Sequence, residues 1–365
     1  MSGTSGCASA TGTSGTTGAV GTVNRRWLLR RRPEGLVGPD DFELQVAPLP
    51  TPQVGAALIR TLYLSFDPTQ RGWLNDAPSY MPPVRIGEPM RAFGLGQVLE
   101  STHEDLRPGD LVEGVMSWQD YMSTADMTSY PPRKVAATQP LSNLLSIFGV
   151  TGVTAYIGTV IVGAAREGDV VVVSGAAGAT GSVAGQIAKL RGAARVIGIA
   201  GSDDKCRWLT EVAGFDAAIN YRTEKVSARL RELAPSGVDL FFDNVGGAVL
   251  DSVLLNLAMR ARVVICGGIS SGYGIKMAPG PKHYMQLVFK SASMRGFLLQ
   301  HHADRTKEAR GALTAWVADG KLKFAEDIVE GLESAPLTLR RLFEGANLGK
   351  QLLKVADPPL PINDP

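Results

Sequence analysis

Val170-Val171-Val172-Val173-Ser174-Gly175-Ala176-Ala177-Gly178-Ala179-Thr180-Gly181-Ser182-Val183-Ala184-Gly185-Gln186-Ile187-Ala188-Lys189-Leu190 is the stretch on which the fold turns. Four successive valines read as a strand buried on both faces. A glycine-rich turn follows, then a helix whose Val183, Ile187 and Leu190 share one face. Gly178 and Gly181 leave room for backbone amides to approach a pyrophosphate, and the helix N-terminus supplies partial positive charge. A glycine-rich string alone is weak evidence. The strand before it, the amphipathic helix after it, and Gly185 one turn on, where the helix can pack closely on the sheet, make it a dinucleotide-binding turn.

Outward from this turn the pattern is strand, helix, strand. Strands are expected at residues 170–174, 195–200, 217–220, 238–243, 261–266 and 294–299, and helices at 181–190, 203–213 and 225–233. Alternation with β-branched apolar strands predicts an α/β fold, a doubly wound parallel sheet covered on both faces.

Proline usage divides the chain. Of 22 prolines, 14 fall between residues 24 and 140 and only four between 141 and 356. Proline removes ladder donors and favours turns, so the first region is expected to be short strands with many turns. Runs such as Ala57-Leu58-Ile59-Arg60 and Leu95-Gly96-Gln97-Val98 fit, with Arg107-Pro108-Gly109-Asp110 as turn chemistry. The expected division is a Gly/Ser/Thr-rich disordered tail at 1–23, a β-rich catalytic domain at 24–148 and a nucleotide domain at 149–320. Residues 321–357 return to the catalytic domain through the strand-like 350–355, and 358–365 are a terminal tail.

Composition excludes several functions. Lys and Arg total 37 against 35 Asp and Glu, with no basic cluster, which argues against nucleic acid. Cys7, Cys206 and Cys266 are too few and scattered for a disulfide framework, pointing to a reducing cytoplasm. Residues 135–165 carry no charge, but Gly149, Gly152, Gly158 and Gly163 interrupt them and threonines stud them, so a buried helix at a domain junction is expected rather than a membrane span. The tail has no apolar core of the kind export requires. Between residues 24 and 148 there is no Cys and one His, His103, which leaves no ligand set for zinc.

Cofactor choice is read at the end of the second strand, where NAD enzymes usually place an acidic residue on the ribose. Here Gly201-Ser202 carries no charge, and Lys205 is placed to reach a 2′-phosphate. In the plainer reading, Ser202 caps a helix, Asp203 and Asp204 favour its dipole and Lys205 is solvated; the two coexist. Asn220-Tyr221, Asn244-Val245-Gly246-Gly247, Cys266-Gly267-Gly268-Ile269-Ser270 and Phe297-Leu298-Leu299 also fall at carboxyl ends of parallel strands, where open sheets bind ligands.

At this point the chain resembles a known family, the zinc-independent prostaglandin and alkenal reductases of the medium-chain dehydrogenase/reductase superfamily, with the bacterial NADPH-dependent curcumin reductases the nearest branch. The resemblance runs from about Asn24 to Val355. It rests on Asn24-Arg25-Arg26-Trp27, Tyr63-Leu64-Ser65-Phe66-Asp67-Pro68, Pro78-Ser79-Tyr80, Ser117-Trp118-Gln119-Asp120-Tyr121, Thr154-Ala155-Tyr156, Gly185-Gln186-Ile187-Ala188-Lys189-Leu190, Asp243-Asn244-Val245-Gly246-Gly247 and Asn347-Leu348-Gly349-Lys350. It implies a GroES-like catalytic domain, a Rossmann domain, a homodimer, and NADPH-dependent reduction of the double bond of α,β-unsaturated ketones or aldehydes. Family cofactor positions fall on Gly178, Ala179, Thr180, Gly181, Lys205, Tyr221, Asn244, Cys266, Gly267, Gly268, Ile269, Ser270, Phe297, Leu298, Leu299 and Asn347, with the run from Cys266 extending to Gly272.

The family tyrosine thought to bond the substrate carbonyl best matches Tyr273, one residue later than the usual spacing. A second family tyrosine is Thr69 here. Hydride delivery to the β-carbon would leave charge on the carbonyl oxygen, so Tyr273 is the expected donor and Tyr80 a pocket residue. The plainer alternatives are a solvated loop tyrosine for Tyr273 and simple packing for Tyr80. Solvent would protonate the α-carbon. A quinone reductase, or an NADPH-binding protein without catalysis, would share the same cofactor cleft.

Overall fold

The computed structural model describes residues 21–127, 130–274 and 279–363; the tail expected at the N-terminus lies mostly outside them. At the start of the described residues the Gly21 amide donates to Tyr121 Oη (2.7 Å). β1 (Val23–Leu29) and β2 (Phe42–Pro48) form an antiparallel ribbon. β3 (Ala57–Ser65) leads through the single-turn α1 (Thr69–Trp73) to β4 (Arg91–Ser101), and β5 (Leu111–Ser117), β6 (Tyr121–Ser123) and β7 (Arg133–Val135) complete the first lobe's strands. In the turn before β5, Gly109 takes φ +94° and Asp110 accepts the Arg107 amide (2.9 Å).

The uncharged stretch at 135–165 enters the second lobe as α2 (Val150–Tyr156), which widens into a π-helical turn, Ile157–Val162. Among the described residues no helix is long and apolar enough to cross a membrane. β8 (Val170–Ser174), α3 (Ala179–Leu190), β9 (Arg195–Ala200), α4 (Asp203–Glu211), β10 (Ala217–Asn220), α5 (Val226–Leu233), β11 (Val238–Asp243), α6 (Gly247–Leu254) and β12 (Leu257–Ile265) then alternate. α7 (Gln286–Phe289), β13 (Ser293–Gly296) and α8 (Thr306–Ala318) follow. The six strands lie parallel in the order β10-β9-β8-β11-β12-β13. The order reverses between β8 and β11, which makes the crevice above their carboxyl ends the ligand position of a doubly wound sheet.

One core packs on each face of this sheet, around Val171, Val173, Ile187 and Phe242 on one side and Val172, Ile197, Phe241 and Val263 on the other. Gly185 explains how closely α3 approaches: a Cβ there would lie 2.1 Å from the Phe215 ring. One expected strand is shorter than its apolar run suggests. β13 stops at Gly296, not at residue 299, because Phe297 turns inward; a Cβ on Gly158 of the π turn would meet its Cζ at 2.9 Å. Leu299 already begins a short 3-10 helix, Leu299–Arg305.

After α8 the chain forms β14 (Glu326–Glu330), α9 (Ala335–Glu344) and β15 (Lys350–Lys354). β15 pairs parallel with β14 and antiparallel with β3, giving the sheet order β14-β15-β3-β4-β5-β7, with β6 on β3. Leu332, Leu339, Leu342 and Leu353 from this segment pack with Trp27, Phe66, Trp73 and Trp118 in the first lobe's core. The last described residues rest on the same lobe: the Leu360 amide donates to Gln97 Oε1 (3.0 Å), and the Asn363 amide to the Gly109 carbonyl (3.2 Å).

Candidate active site

Between β8 and α3, Gly178 stands at the N-cap without a side-chain cap, so the first-turn amides of Ala179, Thr180 and Gly181 face outward without intrahelical acceptors. Gly181 must be glycine, since a Cβ would lie 2.4 Å from the Gly175 carbonyl oxygen. The chain after α9 crosses this turn. Gly349 bridges Gly178 and donates to the Ala177 carbonyl (2.8 Å), while the buried Asn347 side chain donates through Nδ2 to the Gly349 carbonyl (2.9 Å). Asn347 is thereby brought to the cradle from about 170 residues away along the chain.

Above β11 and β12 the turns are tied to one fully buried carboxylate. Asp243 accepts from Ser174 Oγ (2.6 Å) and from the amides of Val245 (3.0 Å) and Gly246 (3.1 Å), and burial still pushes its pKa up. The Asn244 side chain donates to the Ser174 carbonyl (2.7 Å). The amides of Cys266 and Gly267 both donate to the Asp243 carbonyl, and Ile269 and Ser270 donate back to Asn244 and Val245. Burial, then the charge of Asp243, pushes the Cys266 thiol up to about 12. It is a neutral packing group at ordinary pH.

Tyr273 stands beside these turns. A 3-10 turn, Ile269–Ser271, and a left-handed Gly272 lead into it. Its hydroxyl accepts the Gly268 amide (3.0 Å), and a Cβ on Gly267 would lie 3.1 Å from that oxygen. Burial raises the phenol's pKa. The first lobe reaches it directly: Asn75 Nδ2 donates to the Tyr273 carbonyl (2.7 Å), and Asn75 Oδ1 is held by the buried Arg71 (2.6 Å). Tyr80 lies close to Tyr273, and its hydroxyl pairs with that of Thr69. Lys350 of β15, 3% exposed, pairs with Asp67 (2.6 Å) and donates to the Phe66 carbonyl (2.8 Å), anchoring the segment that leads to Thr69.

Phe297, Leu298 and Leu299 leave β13 at the same end of the sheet; Leu298 is exposed, while Phe297 and Leu299 pack, partly buried, against the core on one face. Toward the other edge of the sheet, above the carboxyl ends of β9 and β10, Ser202 caps α4 by accepting the Lys205 amide (3.3 Å). Lys205 Nζ is not simply solvated: it donates to the Gly345 carbonyl at the end of α9 (2.8 Å). The Tyr221 phenol lies over Gly201, where a Cβ would sit 3.0 Å from Tyr221 Oη.

Two residues brought into this region escape a reading of the sequence. Asn75 had no signal, since its partner is 198 residues away. Arg222 had one: it follows Tyr221 at a carboxyl strand end. Among the described residues no three His, Cys, Asp or Glu side chains are grouped to hold a metal.

Comparison with known proteins agrees with this geometry. Residues 25–130 match the family model for the N-terminal domain of oxidoreductase, and residues 179–315 the model described as zinc-binding dehydrogenase. The chain is 39% identical over 340 residues to the NADPH-dependent curcumin reductase of Escherichia coli (strain K12), covering 91% of this chain and 97% of that protein. It is 37% identical to the NADP(+)-dependent 2-alkenal reductase of Nicotiana tabacum, over 82% of this chain and 87% of the relative. The crystal structure of CurA from Vibrio vulnificus in complex with NADPH superposes with a TM-score of 0.86 at 37% identity, covering 92% of this chain and 100% of that one. By these matches over nine-tenths of its length, the chain belongs to the zinc-independent reductases of the medium-chain dehydrogenase/reductase superfamily.

Proposed function

We propose that the protein reduces the carbon–carbon double bond of α,β-unsaturated ketones and aldehydes with NADPH. The observation that carries this reading is the Tyr273 hydroxyl, which accepts the Gly268 amide and so keeps its own proton for an oxygen in the cleft. The cradle fits the dinucleotide. Outward amides at Ala179, Thr180 and Gly181 suit a pyrophosphate, Gly181 gives the clearance, and Lys205 with Tyr221 suits a phosphorylated ribose. Asn244, Asn347, the run from Cys266 to Ser270, and Phe297 to Leu299 would hold the remainder mainly through backbone. Relatives whose names specify NADPH or NADP support the cofactor.

When bound, NADPH supplies a hydride to the β-carbon of the enone. The displaced π electrons collect on the former carbonyl oxygen, where Tyr273 donates a hydrogen bond that strengthens as the charge grows. Its raised pKa keeps the phenol protonated throughout the neutral range. Asn75 fixes the Tyr273 backbone from the opposite lobe, and Tyr80, paired with Thr69, lines the pocket. The half-buried Cys266 thiol, held up to about 12, is too weak an acid to serve as donor, so the α-carbon takes its proton from solvent.

A panel of enals, enones and quinones with NADPH, followed by loss of reduced-nicotinamide absorbance and mass spectrometry of the products, tests the reading. Saturated ketones or aldehydes are expected. Turnover of quinones alone, or of nothing in the panel, overturns it.

The same reading includes a homodimer built on the free edge of β13. That strand ends the sheet and is largely exposed, and Met259, Met285, Val288 and Phe289 beside it are exposed apolar side chains.

A further inference from the structure

Tyr221 and Arg222 follow β10 directly, and the register of β10 on β9 places Asn220 opposite Ala200, so the next residues stand beside Gly201 and Ser202. The Arg222 guanidinium comes to the same spot as the Lys205 ammonium from the other side: a Cβ on Gly345 would lie 3.7 Å from Arg222 Nη2, and Lys205 Nζ donates to the Gly345 carbonyl at 2.8 Å. Gly345 caps α9 in a left-handed conformation, so both cations gather at that helix's negative end.

The carboxylates nearby are engaged elsewhere. Asp203 accepts from Asn220 Nδ2 (2.7 Å), Asp204 pairs with Arg207, Glu224 with Arg229 (2.8 Å), and Asp327 with Arg341 (2.7 Å). Arg222 itself uses only its backbone amide, to Asn220 Oδ1 (3.1 Å), and among the described residues its guanidinium has no acceptor. The two cations feel each other: burial, then the charge of Arg222, lowers the pKa of Lys205. Asp327 offsets this only in part, and two adjacent positive charges raise the energy of the free protein. A bound dianion relieves that repulsion.

We infer that Arg222 is a second cationic ligand of the 2′-phosphate, closing on it with Lys205 over the Tyr221 ring, and that the pair sets the preference for NADPH over NADH. The inference rests on the NADPH reading above. Lys205 has two N–H donors left beside Gly345, and the Arg222 fork is entirely available, so neither side chain must give up a bond to receive the phosphate.

The test uses the full-length protein and measures Kd for NADPH and NADH by nicotinamide fluorescence, with adenosine 2′,5′-bisphosphate and ADP as competitors. Arg222→Ala is expected to weaken NADPH and adenosine 2′,5′-bisphosphate by roughly 10- to 100-fold, the loss of a charge-assisted hydrogen bond. NADH and ADP, which lack the 2′-phosphate, should change by less than about twofold. Arg222→Lys should recover part of the loss. Unchanged NADPH affinity in Arg222→Ala, or an equal loss with NADH, overturns the inference. A wild type that prefers NADPH while Arg222→Ala leaves that preference intact defeats this inference alone; a wild type that binds NADPH and NADH equally defeats the cofactor reading as well.

Discussion

Tyr273 depends both on its hydroxyl and on the contacts that hold it. Its oxygen is both acceptor, from Gly268, and proposed donor, and its backbone is held by Asn75 across the cleft. Tyr273→Phe should therefore lower enone turnover about 10- to 100-fold while leaving the NADPH Kd unchanged, because one donor to a developing oxyanion is lost. Steady-state kinetics with a parallel binding titration reads both. Cys266 makes the opposite case. A thiol held up to about 12 stays protonated below that pH, so its thiolate, the reactive form, is nearly absent at pH 8. Iodoacetamide at that pH should leave the Cys266 peptide unmodified in the native protein and modify it in urea, as mass spectrometry would show. The sequence placed Cys266 at a strand end beside the cofactor; only the packing around Asp243 makes it inert.

At the scale of elements, β8, β9, β10 and β11 begin and end where their apolar β-branched runs do. Polar or glycine-rich turns bound each run, and a strand covered on both faces leaves no choice of periodicity. β13 was legible only in part, because an apolar residue such as Phe297 is equally at home in a strand and in the groove above the Gly158 turn. α3 depends on one missing methyl group. Gly185→Ala would drive a Cβ into the Phe215 ring, and overpacking of this kind costs about 1–3 kcal/mol. Chemical denaturation should show a lower midpoint with an unchanged slope.

For the whole molecule, the C-terminal return is what joins the parts. β15 completes the first lobe's sheet, Lys350 ties it to Asp67, Gly349 lies on the dinucleotide turn and Gly345 receives Lys205. Assembly is the remaining prediction at this scale. Val288→Asp with Phe289→Asp, both 65% exposed, should convert the expected dimer to monomer in sedimentation velocity, with an unchanged circular dichroism spectrum at 25 °C. An unchanged sedimentation coefficient would move the interface elsewhere.

The sequence by itself determined the doubly wound sheet and the glycine-rich turn between β8 and α3, because each is written in residues adjacent along the chain. It also marked the strand ends that form the cleft. Only the tertiary structure decided that Asn75 meets Tyr273, that Thr69 pairs with Tyr80, and that Lys205 and Arg222 converge on Gly345. Those contacts join segments up to about 200 residues apart, and spacing along the chain carries no information about which distant side chains burial and charge will bring together.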